Sequence, residues 1–102
     1  MATKPVKPVL SKVDQILAAR QNHHGDFSNH AAAAQAMKEA FNNNLQHELT
    51  PVQAEAVDMI LHKLARIAAG DPFHEDHWDD IAGYATLVSQ RCAEERSSAD
   101  SQ

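Results

Sequence analysis

The sequence predicts an all-α protein, about four helices forming a small bundle that oligomerisation completes. Three observations predict it. Apolar residues recur at helical spacing, and no stretch shows the period-two alternation of a strand. Alanine, the strongest helix former, is the largest part of a 43% apolar fraction that is poor in Val, Ile and Phe. Thr50-Pro51-Val52-Gln53 reads as a complete helix start: N-cap, proline at the first helical position, and glutamine three residues after the cap.

The elements follow in order. Residues 1–10 form an extended lead-in, because Pro5 and Pro8 lack donors and push their predecessors out of the helical region. Ser11 caps a first helix over about 11–21, with Val13, Ile16 and Leu17 on one face. Gly25 breaks the chain after Asn22-His23-His24, and Asp26 or Ser28 caps a second helix over about 28–45. Asn42-Asn43-Asn44 predicts fraying at its end. The third helix runs from Pro51 to about Ala69, with Gly70 as its terminator, and Asp71-Pro72 enforces a turn. The fourth begins at Glu75 or Asp76 and runs to about Glu95, with acids suited to a helix N-terminus. The single domain is thus residues 11–95, and the small polar residues 96–102 read as a disordered tail.

Composition narrows the function classes. The 102 residues suffice for one domain with a modest core. Alanine buries little area, so pairing with further copies, as a dimer or tetramer, is expected to complete that core. A net charge of −5 argues against nonspecific nucleic-acid binding. A single cysteine, Cys92, leaves no internal disulfide framework and suits a reducing compartment. No apolar run reaches the roughly 18–20 residues of a membrane span, and no signal-peptide core follows Met1, so the expected location is the cytoplasm.

Two segments hold the polar chemistry. On the third helix Glu55, Asp58, His62 and Arg66 fall in one narrow sector at 100° per residue, with Lys63 at its border. The bland reading is a wet face with ordinary i,i+4 pairs. The sharper one is that Glu55 and Asp58 share a Mg²⁺ while Arg66 and Lys63 meet a phosphate. The fourth helix opens with Asp76-His77-Trp78-Asp79-Asp80-Ile81-Ala82-Gly83-Tyr84, which holds the only tryptophan and the only tyrosine. Read plainly, Trp78 and Ile81 are core, the acids compensate the helix dipole, and Gly83 marks a close helix approach. Read functionally, Asp76 and Asp80 face Glu55 and Asp58 and the four carboxylates require a divalent cation. Trp78 and Tyr84 then line a ring pocket, with His77 on the same face as Asp80 and Tyr84. His23-His24-Gly25-Asp26 reads as an exposed loop that a site could recruit, and Cys92 as a small packing residue. There is no H-E-x-x-H, no phosphate-cradling glycine loop and no G-x-S-x-G elbow.

Arg20-x₃-His24-Gly25-Asp26-Phe27, then Thr50-Pro51 with His62-Lys63-x-x-Arg66, then Asp76-x-Trp78-x-Asp80-Ile81-Ala82-Gly83-Tyr84 together resemble a family of small helical phage and prophage proteins. Its signature is W-x-D-I-A-G-Y, and the family carries no established activity. More distantly, the chain is similar to the all-α, MazG-like nucleoside triphosphate pyrophosphatases. That similarity implies an oligomeric bundle holding Mg²⁺ through Glu55, Asp58, Asp76 and Asp80. Nucleotide contacts would come from Lys63, Arg66, Trp78 and Tyr84, with His62, His77, Arg20, His24 and Asp26 nearby.

The expected function is that of a phage-type nucleotide-handling protein. As an enzyme it would split a nucleoside triphosphate between the α- and β-phosphates with Mg²⁺. The alternative is a non-enzymatic phage protein that inhibits a host defence complex or sequesters a nucleotide signal. A purely structural or regulatory helical oligomer is the third reading.

Overall fold

The computed structural model describes the backbone of residues 11–100 and the side chains of these except at positions 21–24, 99 and 100. The described chain is all-α, with four helices and no strand. The lead-in over 1–10 lies outside it.

Helix α1 spans Lys12–His24. Ser11 starts it: its Oγ accepts the Asp14 N–H at 3.1 Å and donates to the Asp14 carboxylate at 2.8 Å. The helix runs three residues past its predicted end, through Asn22-His23-His24, and stops where Gly25 takes φ 79°. Glycine is required there twice over. The left-handed conformation disfavours a side chain, and a Cβ would overlap the Ala69 carbonyl on the third helix.

Helix α2 spans Phe27–Asn43 and is capped by Asp26, whose carboxylate accepts the Asn29 N–H at 3.4 Å. It ends within the asparagine run, where the Asn44 amide donates to the Ala40 carbonyl at 2.7 Å. Helix α3 spans Pro51–Ala69 and carries the predicted capping box in full. Thr50 Oγ1 accepts the Gln53 N–H at 3.2 Å, and Gln53 Oε1 accepts the Thr50 N–H at 3.0 Å. Gly70 closes α3 by donating its N–H to the Arg66 carbonyl at 2.9 Å, with a negative φ of −128° and not the left-handed cap expected of a C-terminal glycine.

Asp71 turns the chain by accepting the Phe73 N–H at 2.9 Å, and the Trp78 indole donates to the Pro72 carbonyl at 2.8 Å. Helix α4 spans Glu75–Asp100. It carries on five residues past its predicted end, into the stretch expected to be a disordered tail. Arg91 pairs with Glu94 at 3.1 Å and Glu95 at 3.7 Å along that part of the helix.

The helices form an open layer. α3 packs against α2 on one side and α4 on the other, and α2 and α4 make no close backbone contact. α1 lies across α2 and α3. Among the described residues the fully buried apolar side chains are alanines: Ala34, Ala56 and Ala65. No Leu, Ile, Val, Phe or Met reaches that level. Trp78, expected in the core, is half exposed, because its indole clips the α3–α4 turn from outside. The close approach expected at Gly83 is also absent: a Cβ there meets nothing within 4 Å.

Two glycine substitutions should therefore move stability in opposite directions. Gly25→Ala should lose more than about 2 kcal/mol, from the positive φ and the overlap with backbone. Gly83→Ala should gain about 0.5–1 kcal/mol, from helix propensity alone. Urea denaturation of the two variants measures both, and a destabilising Gly83→Ala would reveal a contact outside the single chain.

Candidate functional site

Where the α1–α2 corner meets the C-terminal half of α3, the chain encloses a cleft of about 470 Å³. α3 supplies His62 and Arg66, four residues apart and so on one face. α1 supplies Leu17 and Arg20, and α2 supplies Phe27 and His30. Gly25 and Asp26 form the corner between them. Asp26 thus caps α2 and borders the cleft at once.

Rings line one wall. His30 and His62 meet edge to face with centroids 4.3 Å apart, and Phe27 approaches His30 at 6.1 Å. His30 is buried, and its Nε2 has no hydrogen-bond partner. An orphaned buried polar atom costs free energy unless something else satisfies it. Phe27 is the opposite case, an aromatic ring left 76% exposed at the cleft mouth.

The charge in the cleft is positive. Among the described residues neither Arg20 nor Arg66 has a carboxylate within ion-pair distance. Burial lowers the pKa of Arg66, the Arg20 charge lowers it further, and Asp80 partly offsets both. His62 falls to about 4, through burial first and then the charges of Arg66, His30, Lys63 and Lys38. His30 is lowered by burial and by Arg66, against an opposing interaction with the His62 backbone. Both imidazoles are therefore neutral at pH 7, beside two guanidinium groups that repel each other. An anion entering the cleft would relieve that repulsion.

The other predicted site residues lie elsewhere. Asp80 pairs with Lys63 at 2.8 Å, and that hydrogen bond and charge hold its carboxyl below the usual range. His77 is buried beside this pair, with its ring 4.8 Å from that of His74. Asp76 is exposed and approaches His74 Nε2 at 3.6 Å. Tyr84 and Glu55 border a shallow apolar groove at the far end of α3, and Asp58 is exposed. The His24 side chain lies outside the described residues. Cys92 is exposed, with its Sγ 3.5 Å from Gln53 Nε2, and is not a packing residue.

The expected convergence of Glu55, Asp58, Asp76 and Asp80 does not occur within one chain. Among the described residues no group of three or more His, Cys, Asp or Glu side chains is placed to hold a metal ion. The reason is register. Lys63 meets Asp80 and Gln53 meets Cys92, so the helices run antiparallel with Glu55 eight residues from the level of Asp80. At 1.5 Å per residue that is about 12 Å along the axis. The four acids do not fit one Mg²⁺ in this arrangement.

The match to known families covers residues 8–92, from before α1 into the last part of α4. The chain belongs to the DUF6378 family, a domain of unknown function. No curated protein and no solved structure matches it. The DUF6378 region takes in every residue of the cleft as well as the Trp78–Tyr84 segment. The sequence reading missed His30 and Phe27 in this DUF6378 cleft. The available signal was their i,i+3 spacing directly after the Gly25-Asp26 cap, which sets both on the face of α2 that begins at the corner.

His62 sets a pH dependence. Its folded pKa of about 4 lies below the ordinary 6.5, so the unfolded chain takes up the proton first. Its contribution is complete above about pH 6.5 and is lost as pH falls toward 4, on the order of 2 kcal/mol. His30 acts in the same direction. Urea denaturation between pH 7 and 4 should show the decline, and His62→Gln should flatten it. An unchanged slope in that variant would assign the acid sensitivity to other groups.

Proposed function

We propose that this chain is a phage-type nucleotide-handling protein that binds a nucleotide in the α1–α2–α3 cleft and holds it without hydrolysing it. The observation that carries this reading is the pair of guanidinium groups, Arg20 and Arg66, with no carboxylate partner among the described residues, in the same cleft as Phe27, His30 and His62. Guanidinium groups bind phosphate oxygens in pairs of parallel hydrogen bonds. Phe27 offers an open ring face for a base, and the His30 and His62 rings form the wall beside it. A cleft of about 470 Å³ is within the range for small-ligand sites.

Sequestration of a nucleotide signal is favoured over Mg²⁺-dependent pyrophosphohydrolysis by the separation of the four acids. The hydrolytic reading needs Glu55, Asp58, Asp76 and Asp80 around one cation, and Asp80 is already engaged with Lys63. The phage setting rests on the resemblance carried by Trp78-x-Asp80-Ile81-Ala82-Gly83-Tyr84.

Isothermal titration with nucleoside mono- and triphosphates is the test. Binding should weaken with salt, and Arg66→Ala should weaken it at least about tenfold. Proton uptake should accompany binding, because a phosphate beside His62 raises its pKa; heats measured in buffers of different ionisation enthalpy report this. A folded protein that binds none of these nucleotides rejects the proposal. Mg²⁺-dependent pyrophosphate release that disappears in Asp80→Ala would replace it with the hydrolytic reading.

A further inference from the structure

We infer that the nucleotide taken by the cleft carries guanine, and that Asp26 is the residue that selects it. This selection rests on the nucleotide binding proposed above and adds which base is taken and by what.

Asp26 is the one carboxylate among the residues that line the cleft. It shares that space with Arg20 and Arg66, yet among the described residues no ion pair joins it to either guanidinium group. The cleft therefore has an acidic corner set apart from its basic part. A phosphate is drawn to the guanidinium groups and repelled by a carboxylate, so the phosphate end of a ligand lies with Arg20 and Arg66. The other end meets Asp26. A volume of about 470 Å³ suits one mononucleotide, whose other end is the base.

Phe27 follows Asp26 directly in the chain, and its ring is 76% exposed. A base stacked on that ring keeps its hydrogen-bonding edge beside it, where the neighbouring carboxylate is the acceptor at hand. A carboxylate only accepts hydrogen bonds, and its two oxygens match two adjacent N–H donors. Guanine alone among the common bases offers that pair, at N1–H and the 2-amino group. Adenine and cytosine place a ring acceptor beside their amino group. Uracil places a carbonyl on each side of its N–H. Each of these sets a lone pair against the carboxylate. Asp26 also caps α2, its Oδ2 accepting the Asn29 N–H at 3.4 Å. That bond takes one of about four lone-pair positions of the group and anchors it at the corner.

Calorimetric titration of the full chain with guanosine, adenosine, inosine and xanthosine monophosphates tests this. Guanosine monophosphate should bind at least about tenfold more tightly than adenosine monophosphate. Inosine monophosphate, which lacks the 2-amino group, should fall between them. Asp26→Asn should keep the fold, because asparagine caps a helix as well as aspartate does, and a melting curve checks this. Its amide sets a donor beside an acceptor. The variant should therefore lose the guanosine preference and favour xanthosine monophosphate, which has C=O beside N–H on the same edge. Loss of the Asp26 charge alone acts on every monophosphate alike and leaves the ratios between bases unchanged. Equal wild-type affinities overturn guanine selection and leave nucleotide binding standing. So does a guanosine preference that survives Asp26→Asn, or a variant in which all four affinities shift together, which would assign Asp26 to the ribose or to charge balance. A folded wild type that binds none of the four overturns both guanine selection and nucleotide binding.

Discussion

The packing of this chain depends on how closely α2 and α4 approach α3. α3 is the one helix that every other helix touches, and alanines set those distances. Ala65 is completely buried and Ala56 nearly so, on roughly opposite sides of α3. A side chain no larger than a methyl group lets two backbones come near, and the gain is dispersion between backbones more than burial of large side chains. The consequence is a layer and not a closed bundle. α2 and α4 both pack on α3 and make no close backbone contact with each other.

The same central helix organises the charges. Lys63 and Arg66 leave α3 in neighbouring directions but take different partners. Lys63 reaches across to α4 and neutralises Asp80. Arg66 leans toward α1 and finds Arg20 instead of an acid. The cleft therefore holds two guanidinium groups against the single carboxylate of Asp26 at its corner. His62 is held neutral by burial in the same place, so a proton and an anion become linked ligands there. The α1–α2 corner completes the cleft only because Gly25 takes a positive φ against the Ala69 carbonyl.

The polar stripe Glu55-Asp58-His62-Arg66 was legible in the sequence because a helix face is a matter of angle alone. What became of its two ends was not. His62 and Arg66 are covered by α1 and α2, while Glu55 and Asp58 stay exposed. A helical wheel has no axial coordinate, so it cannot supply the antiparallel register that sets Asp80 beside Lys63 and not beside Asp58. His30 shows the reverse failure. Its i,i+3 spacing from Phe27 set it on one face of α2, but only the contact with His62 makes it a wall of the cleft. The Trp78–Tyr84 segment stood out by composition, and its residues divide between a turn clip at Pro72, an ion pair and a remote groove.

The sequence by itself determined the all-α class, the number of helices and the start of α3, because caps, propensity and periodicity act over a few residues. The capping box at Thr50-Pro51-Val52-Gln53 is made by two hydrogen bonds between residues three apart. Helix ends at His24 and Asp100 were set beyond the predicted stops, since a weak stop signal yields where nothing forces a turn. Only the tertiary structure decided which charges meet and which histidines are buried. Those depend on helix register and on layer order, which arise from packing between residues far apart in the chain.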